Sequence, residues 1–355
     1  MPSLQSIKIY WAEYILTLSR QCIAIYSIIS FWGCTHQPES QTSSSSPVSA
    51  HTMNVQLIRR QLLSNLPSAS GLEVIWDKMY VIGDDSPLLY ELQTETWNQL
   101  ATYPLFATEH FTSGRLPKAL KPDLECLAGV TFKDKPYLLA FGSGSAPHRD
   151  TCYVVQLPAN SQNTEIEVSQ ILLTKLYGAL QADETVTGND LLNLEAAAAS
   201  NQHLYLLQRS VNEGPNALLV FAVPDFMQYI RNPAGALPPF TVVPFNLPTI
   251  EGLKAGFSGA SFFDNCLFIT ASVENTDDAF LDGEVLGSFV GYLDLNQPTP
   301  VCYTARITHN GEPYRGKVES ISIVRKTGTA QYQALAVTDN DNGESEILEL
   351  LLTIE

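Results

Sequence analysis

Four glutamates stand at one phase of a recurring pattern. Carboxylates gathered in that way can hold a hard cation, trade protons as general acid and base, or accept backbone N–H groups. They are Glu73, Glu125, Glu195 and Glu319, each following an apolar residue at the start of an apolar run, with Ser258 at the corresponding place in a fifth run. If the fold brings them to one place, two carboxylates about 5 Å apart repel by roughly 3 kcal/mol at an effective dielectric near 20, so the charge needs compensation. Bound Ca²⁺, with six to eight oxygen ligands, is one form of compensation. Raised pKa values that leave one or two carboxyls protonated are a second, and would supply an acid and a base. The third reading is structural, with each Glu tying its run to a neighbour through backbone N–H groups.

Other polar groups fall at the ends of the strands that follow. Asp84 and Asp85 occupy one turn, Glu274, Asp277, Asp278, Asp282 and Glu284 another, and Asp339, Asp341 and Glu344 a third. A basic group forms around SAPHRD, with His148 and Arg149, and Arg209 follows the next repeat's second strand. Arg and His on such turns can hold a phosphate or carboxylate, Arg through its two-pronged guanidinium; equally, the arginines can pair with the acidic groups. GSGS at Gly142 precedes no helical pattern, so it is not a phosphate-cradling loop, and no GxSxG nucleophile turn occurs.

The elements that must carry these residues repeat five times, at intervals of about 50 to 70 residues, which suits four-stranded units with long loops. The units open as GLEVIWDKMYVIGDD from Gly71, DLECLAGVTFKDKPYLLAFGSGS from Asp123, NLEAAAASNQHLYLLQRS from Asn193, FSGASFFDNCLFITAS from Phe257 and VESISIVRKTGTAQYQALAVTDND from Val318. Third strands follow at PLLYEL, CYVVQL, ALLVFAV, SFVGYLDL and SEILELLLTI, and outer strands at TWNQLATY, EIEVSQILL, FTVVPFNL and VCYTARI. The fifth unit ends without an outer strand, and VQLIRRQLL, Val55–Leu63, stands before the first unit. The expectation is an all-β, five-bladed β-propeller over residues 54–355, with six blades as the alternative, closed by an N-terminal strand that completes the last blade. Inner strands line the channel of such a fold, so Glu73, Glu125, Glu195 and Glu319 are expected at one channel mouth.

Composition agrees with a packed domain and narrows its partners. The 355 residues are 45% hydrophobic and 16% charged, with 20 Lys+Arg against 37 Asp+Glu and a formal charge of −17. So acidic a body is a poor partner for nucleic acid or an anionic lipid surface. Residues 1–33 carry Lys8 and Arg20 ahead of the apolar run from Cys22 to Gly33, which is too short to span a bilayer and reads as a lipoprotein-type signal peptide ending on Cys34, the lipidation site. Residues 34–53 are Ser/Thr/Pro-rich and read as a flexible tether. The expected location is the bacterial cell envelope, lipid-anchored, on the periplasmic or outer-membrane face. Cys126 and Cys152 fall on alternate strands of one unit, and Cys266 and Cys302 on alternate strands of another; strands two steps apart hold Cys too far apart to pair, so four free thiols are expected.

The segments YVIGDDSPLLYEL, KPDLECLAGV with FGSGSAPHRD, NLEAAAASNQHLYLLQRS and KVESISIV resemble uncharacterised bacterial secreted propellers related to the esterase-like phytase and SdiA-regulated propeller families. The resemblance implies a propeller with carboxylates at the channel mouth that hold calcium. Two functions follow as expectations. One is a lipid-anchored binding module for a small molecule or an envelope protein; the other is a cation-dependent hydrolase of phosphate or carboxylate esters. In the second, Glu73, Glu125, Glu195 and Glu319 hold the ion and His148 or Arg149 the substrate.

Overall fold

The computed structural model describes residues 52–158, 166–275, 283–295, 300–340 and 343–355. The signal peptide, Cys34, nearly all of the tether, and Asp277, Asp278, Asp282 and Asp341 lie outside them. The described residues form an all-β, propeller-like arrangement of antiparallel sheets.

The chain starts with β1 (Met53–Leu63) and then lays down sheets of four strands, each strand paired with the one before it. The first sheet is β2 (Ala69–Ile75), β3 (Lys78–Gly83), β4 (Leu88–Gln93) and β5 (Gln99–Pro104). The second is β6 (Leu124–Phe132), β7 (Lys135–Gly142), β8 (Thr151–Gln156) and β9 (Glu167–Leu172), and the third is β10 (Leu194–Ala199), β11 (His203–Gln208), β12 (Asn216–Ala222) and β13 (Phe240–Phe245). A small ribbon of β14 (Thr249–Ile250) and β15 (Leu253–Lys254) precedes β16 (Gly256–Phe263), β17 (Cys266–Asn275), β18 (Glu284–Asp294) and β19 (Val301–His309), to which the two-residue β20 (Glu312–Pro313) adds. The last strands are β21 (Lys317–Gly328), β22 (Gln331–Asp339) and β23 (Ser345–Ile354).

β1 takes the place of an outer strand on this last group. It runs antiparallel to β23 from the Met53–Ile354 pair to the Leu63–Ser345 pair, and its first turn of ladder also pairs in parallel with β19, Val55 with Ile307 and Gln56 with Thr308. Two groups of four are thereby joined through the β1–β19 rungs into one sheet of nine strands. The inner strands touch in sequence: β2 packs on β6, β6 on β10, β10 on β16, β16 on β21, and β21 on β2.

Burial explains which segments took which place. Second and third strands are covered on both faces by neighbouring sheets, so they read as continuous apolar runs such as LLAF in β7 and ALLVF in β12. Outer strands have one face in solvent and alternate, as in β5 and β9. Apolar residues fill each seam between neighbouring sheets, including that between the last and the first, where Leu335, Val337 and Ile347 meet Leu72, Met79 and Val81. The β6–β7 and β16–β17 hairpins close on two-residue turns with positive φ, Lys133–Asp134 and Asp264–Asn265, whose twist matches that of paired strands.

Two segments read as loop or outer strand contain helices, Thr174–Ala182 and Val223–Tyr229. Leu176, Tyr177, Leu180, Phe226 and Met227 turn from them into the seam between the second and third sheets. Cys126, Cys152, Cys266 and Cys302 are free thiols. Cys126 and Cys152 both stand opposite Phe141, one on each side of β7, so a whole strand separates them.

Candidate functional site

Near the start of each inner strand one residue is extra to the ladder. The register between first and second strands skips one position in every sheet: between Ala69 and Gly71, Leu124 and Cys126, Leu194 and Ala196, Phe257 and Gly259, and Val318 and Ser320. The skipped residues are Ser70, Glu125, Glu195, Ser258 and Glu319. A bulge of this kind re-aims its side chain out of the alternation that the pleat imposes. The five therefore occupy equivalent places, and the first of them is Ser70, not Glu73.

Glu73 lies three residues further along β2, and its carboxylate accepts the backbone N–H of Gly129 on β6 at 3.1 Å. It is not among the residues that line the channel-mouth cavity. Burial, set against that hydrogen bond, holds its pKa up at about 7. The two serines also bind the neighbouring inner strand. Ser70 Oγ donates to the carbonyl of Leu124, and Ser258 Oγ to that of Val318 at 2.6 Å, in each case the residue just before the next bulge. Glu125, Glu195 and Glu319 instead line a cavity of about 470 Å³.

The residue two before each bulge helps shape the same cavity. The backbone N–H following β3, β7 and β11 donates to the carbonyls of Ser68, Asp123 and Asn193 respectively, which sets the turns after the second strands over the bulges. These turns supply Asp84, Asp85, Arg149 and Arg209 to the lining, and the ends of β17 and β22 supply Glu274 and Asp339. His148 is exposed on a short 3₁₀ turn, Pro147–Arg149, and does not line the cavity. Glu284 and Glu344 are also absent from the wall.

Basic side chains thread between the carboxylates in two groups. In the first, Lys121 Nζ contacts Asp84 and lies 3.3 Å from Asp123 Oδ1 and 3.5 Å from Asp85 Oδ1. Arg149 Nη1 reaches Asp123 Oδ2 and Ser145 Oγ, both at 2.7 Å, and Arg115 Nε reaches Asp85 Oδ2 at 2.6 Å. In the second, Arg209 lies 2.8 Å from Glu274 and 3.6 Å from Glu195, while Lys317 lies 2.8 Å from Glu319 Oε1 and 3.2 Å from Glu274. Asn193 Nδ2 donates to Glu195 Oε1 at 2.7 Å. Among the described residues, eight carboxylates and seven basic side chains line the cavity, which leaves one negative charge when every group is ionised.

The pairing is uneven, and proton affinity follows it. Burial raises Glu274, but Arg209 and Lys317 outweigh it and bring the group down to about 2. Burial pushes Glu195 up to about 7 despite Arg209, with Glu319 adding to the rise. Asp84 rises to about 6 by burial, with Lys121 opposing. Glu125 is raised well above the usual range, by burial first and then by Asp123, Glu195 and Asp84. Burial lowers Lys121, but its carboxylate neighbours reverse this and hold it charged.

Three acceptors remain unspent. Glu319 is 5% exposed and its Oε2 has no hydrogen-bond partner among the described residues; the same holds for the buried Asp84 Oδ1. No hydrogen bond or ion pair within the described residues reaches the Glu125 carboxyl.

Among the described residues a metal ion has one candidate seat. Oxygens of Asp84, Asp123 and Glu125 all lie within 4.8 Å of one another. The donor type suits calcium, but three carboxylates fall short of six to eight ligands, and the Lys121 ammonium already touches two of the three. At about 4 Å and an effective dielectric near 20, each fixed positive charge opposes a monovalent cation by about 4 kcal/mol and a dication by about 8 kcal/mol.

Sequence reasoning had placed Glu125, Glu195, Glu319, Asp84, Asp85, Arg149 and Arg209 at the site, and the structure brings these seven together in the cavity wall. It missed Ser70, Lys121, Asp123, Asn193 and Lys317. A signal for Ser70 was present as a triplet of polar residue, apolar residue and bulge residue: Ser68-Ala69-Ser70, Asp123-Leu124-Glu125, Asn193-Leu194-Glu195 and Lys317-Val318-Glu319.

Among curated protein sequences none matches the chain. Among solved structures, the crystal structure of Myxococcus xanthus glutaminyl cyclase is similar with a TM-score of 0.46 at 10% identity, over 86% of this chain and 98% of that one. The WD40 β-propeller domain of Doa1 is similar with a TM-score of 0.32 at 8% identity, over 85% of this chain and 97% of that one. Over residues 65–352 the sequence matches the model of a family of unknown function, DUF6929, and the chain belongs to that family.

Proposed function

We propose that this protein is a binding module: a five-bladed propeller, closed by β1, that takes a small polar ligand in the channel-mouth cavity. The observation that carries the reading is the state of the wall. Its charged groups are mostly held in ion pairs, as Lys121, Arg149, Arg209 and Lys317 show, while Glu125 lines the cavity unpaired among the described residues and one oxygen of Glu319, buried in the wall, has no partner among them either. Such a wall is preorganised for recognition, because its side chains are already fixed before a ligand arrives. The five seams and the successive contacts of the inner strands support the blade count, and the β1–β23 ladder supports the closure.

The N-terminal sequence supports attachment to the cell envelope through a lipid on Cys34, with the tether holding the propeller clear of the membrane. Labelling with a palmitate analogue tests this: the native chain takes up label and sediments with membranes, and Cys34→Ala does neither. Label on the Cys34→Ala chain overturns the anchor.

Thermal-shift screening of the full chain against small polar compounds tests the module. A ligand that raises the melting temperature of the native chain, but not of Glu319→Gln, supports binding in the cavity. Equal shifts in both place binding elsewhere and overturn it.

A second reading rests on the convergence of Asp84, Asp123 and Glu125. Calcium held there makes the protein a cation-dependent hydrolase of phosphate or carboxylate esters, with Arg149 beside the substrate. Calcium-dependent turnover of p-nitrophenyl phosphate or p-nitrophenyl acetate, lost in Glu125→Gln, decides for this reading against the first.

A further inference from the structure

We infer that the ligand of the cavity is a monovalent organic cation bearing N–H donors, a primary ammonium or a guanidinium, seated between Glu125 and Glu319. The inference rests on the binding-module reading and names its ligand class.

The unspent polar atoms of the wall define the partner. Glu319 Oε2 and Asp84 Oδ1, buried in the wall without a partner among the described residues, and the Glu125 carboxyl that lines the cavity are acceptors when ionised, so what complements them is a donor. A buried carboxylate oxygen left without a partner is costly, and one ligand able to donate several N–H bonds satisfies more than one of them. Glu195 stands between the two as a source of field, since its oxygens are engaged by Asn193 and Arg209. Its charge acts on Glu125, and the charge of Glu319 acts on it in turn, which places the three in electrostatic reach of one another.

Charge counting selects the valence. With every group ionised, the state a bound cation favours, eight carboxylates against seven bases among the described residues leave a single negative charge, which one positive charge neutralises and a dication overshoots. The dication is opposed twice as strongly by Lys121, Arg209 and Lys317, each fixed against carboxylates of this wall. An anion meets the carboxylates of Glu125 and Glu319 in the wall with like charge. The volume, about 470 Å³, lies in the range of small-molecule sites.

Calorimetry on the full chain with four probes tests the inference: n-butylammonium, tetramethylammonium, calcium and butyrate. n-Butylammonium is expected to bind saturably, one per chain, with tetramethylammonium, which has the charge but no N–H, far weaker. Glu319→Gln and Glu125→Gln are each expected to weaken it about tenfold or more, the loss typical of a hydrogen bond to a charged group, while Glu73→Gln leaves it unchanged. Melting curves identify any variant that fails to fold. For such a variant, tetramethylammonium discrimination in the native chain carries the decision alone. Equal binding of tetramethylammonium overturns the donor requirement. Calcium or butyrate binding without n-butylammonium overturns the ligand class and leaves the binding module standing. Flat titrations with all four probes to about 20 mM, where ligands of a few heavy atoms bind, overturn the ligand class and return the module to the thermal-shift screen. Ester turnover dependent on calcium removes the module as well.

Discussion

Replacing Glu73 by Gln removes one ionisable group and keeps an oxygen to accept the Gly129 N–H. Burial lifts the pKa of this carboxyl from 4.5 to about 7, so the folded chain binds its proton more tightly than the unfolded chain does. For a raised acid, that proton-linked stability is complete below pH 4.5 and is lost as pH climbs to about 7. A shift of some 2.5 units corresponds to roughly 3 kcal/mol at 1.36 kcal/mol per unit. A domain of about 300 residues has an unfolding entropy near 0.6 kcal/mol/K, so the effect is about 5 °C in melting temperature. The expected result is that native and Glu73→Gln chains melt together at pH 4, and that Glu73→Gln melts about 5 °C higher at pH 8. Glu125, Glu195 and Asp84 titrate alike in both chains, so the difference isolates Glu73. A gap that does not vary with pH, or a variant less stable at every pH, refutes the account of Glu73 as a buried clasp.

Ser258→Ala leaves the buried carbonyl of Val318 without its donor, and is expected to cost about 1–3 kcal/mol in urea unfolding; no loss refutes the clasp between β16 and β21. Lys121→Met takes the shared cation from Asp84, Asp85 and Asp123, with an expected loss of about 3–5 kcal/mol at neutral pH that millimolar calcium partly restores; a melting temperature unchanged from native shows that the ammonium does not hold this group together. Cys126 and Cys152 are buried and their thiol pKa values are raised by that burial, so mass spectrometry after alkylation of the native protein should find neither modified. Modification at the rate of an exposed thiol refutes their placement.

The strand pattern was legible because burial writes it into the sequence. β7, β12 and β22 are covered on both faces and so are apolar without alternation, and turn residues separate them from their partners. The displaced strand was legible for a different reason: VQLIRRQLL is strand-like and stands ahead of the first unit, and it pairs along β23. The phase of the first repeat was not legible from Leu-Glu pairs, since Leu72-Glu73 imitates Leu124-Glu125 in composition. What distinguishes them is which residue the ladder skips, a property of pairing with β3 and β7 rather than of the segment itself. The helix at Thr174–Ala182 escaped because a reading tuned to two-residue alternation does not register Leu176, Tyr177 and Leu180, which share a face at helical spacing. Lys121 and Lys317 were overlooked because their roles are set by partners on other strands, Asp84 for one and Glu274 for the other.

The five bulges separate what the inner strands hold from what they display. A residue that stands outside the ladder can change without disturbing a single rung. Serine there becomes a rivet to the neighbouring strand, and glutamate becomes a contact offered to the cavity, as Ser258 and Glu319 show on adjacent strands. Four of these positions, Ser70, Glu125, Glu195 and Glu319, border one cavity. Exchanging a rivet for a contact at one of them alters the charge that the wall presents and leaves in place the apolar seams that keep the ring folded.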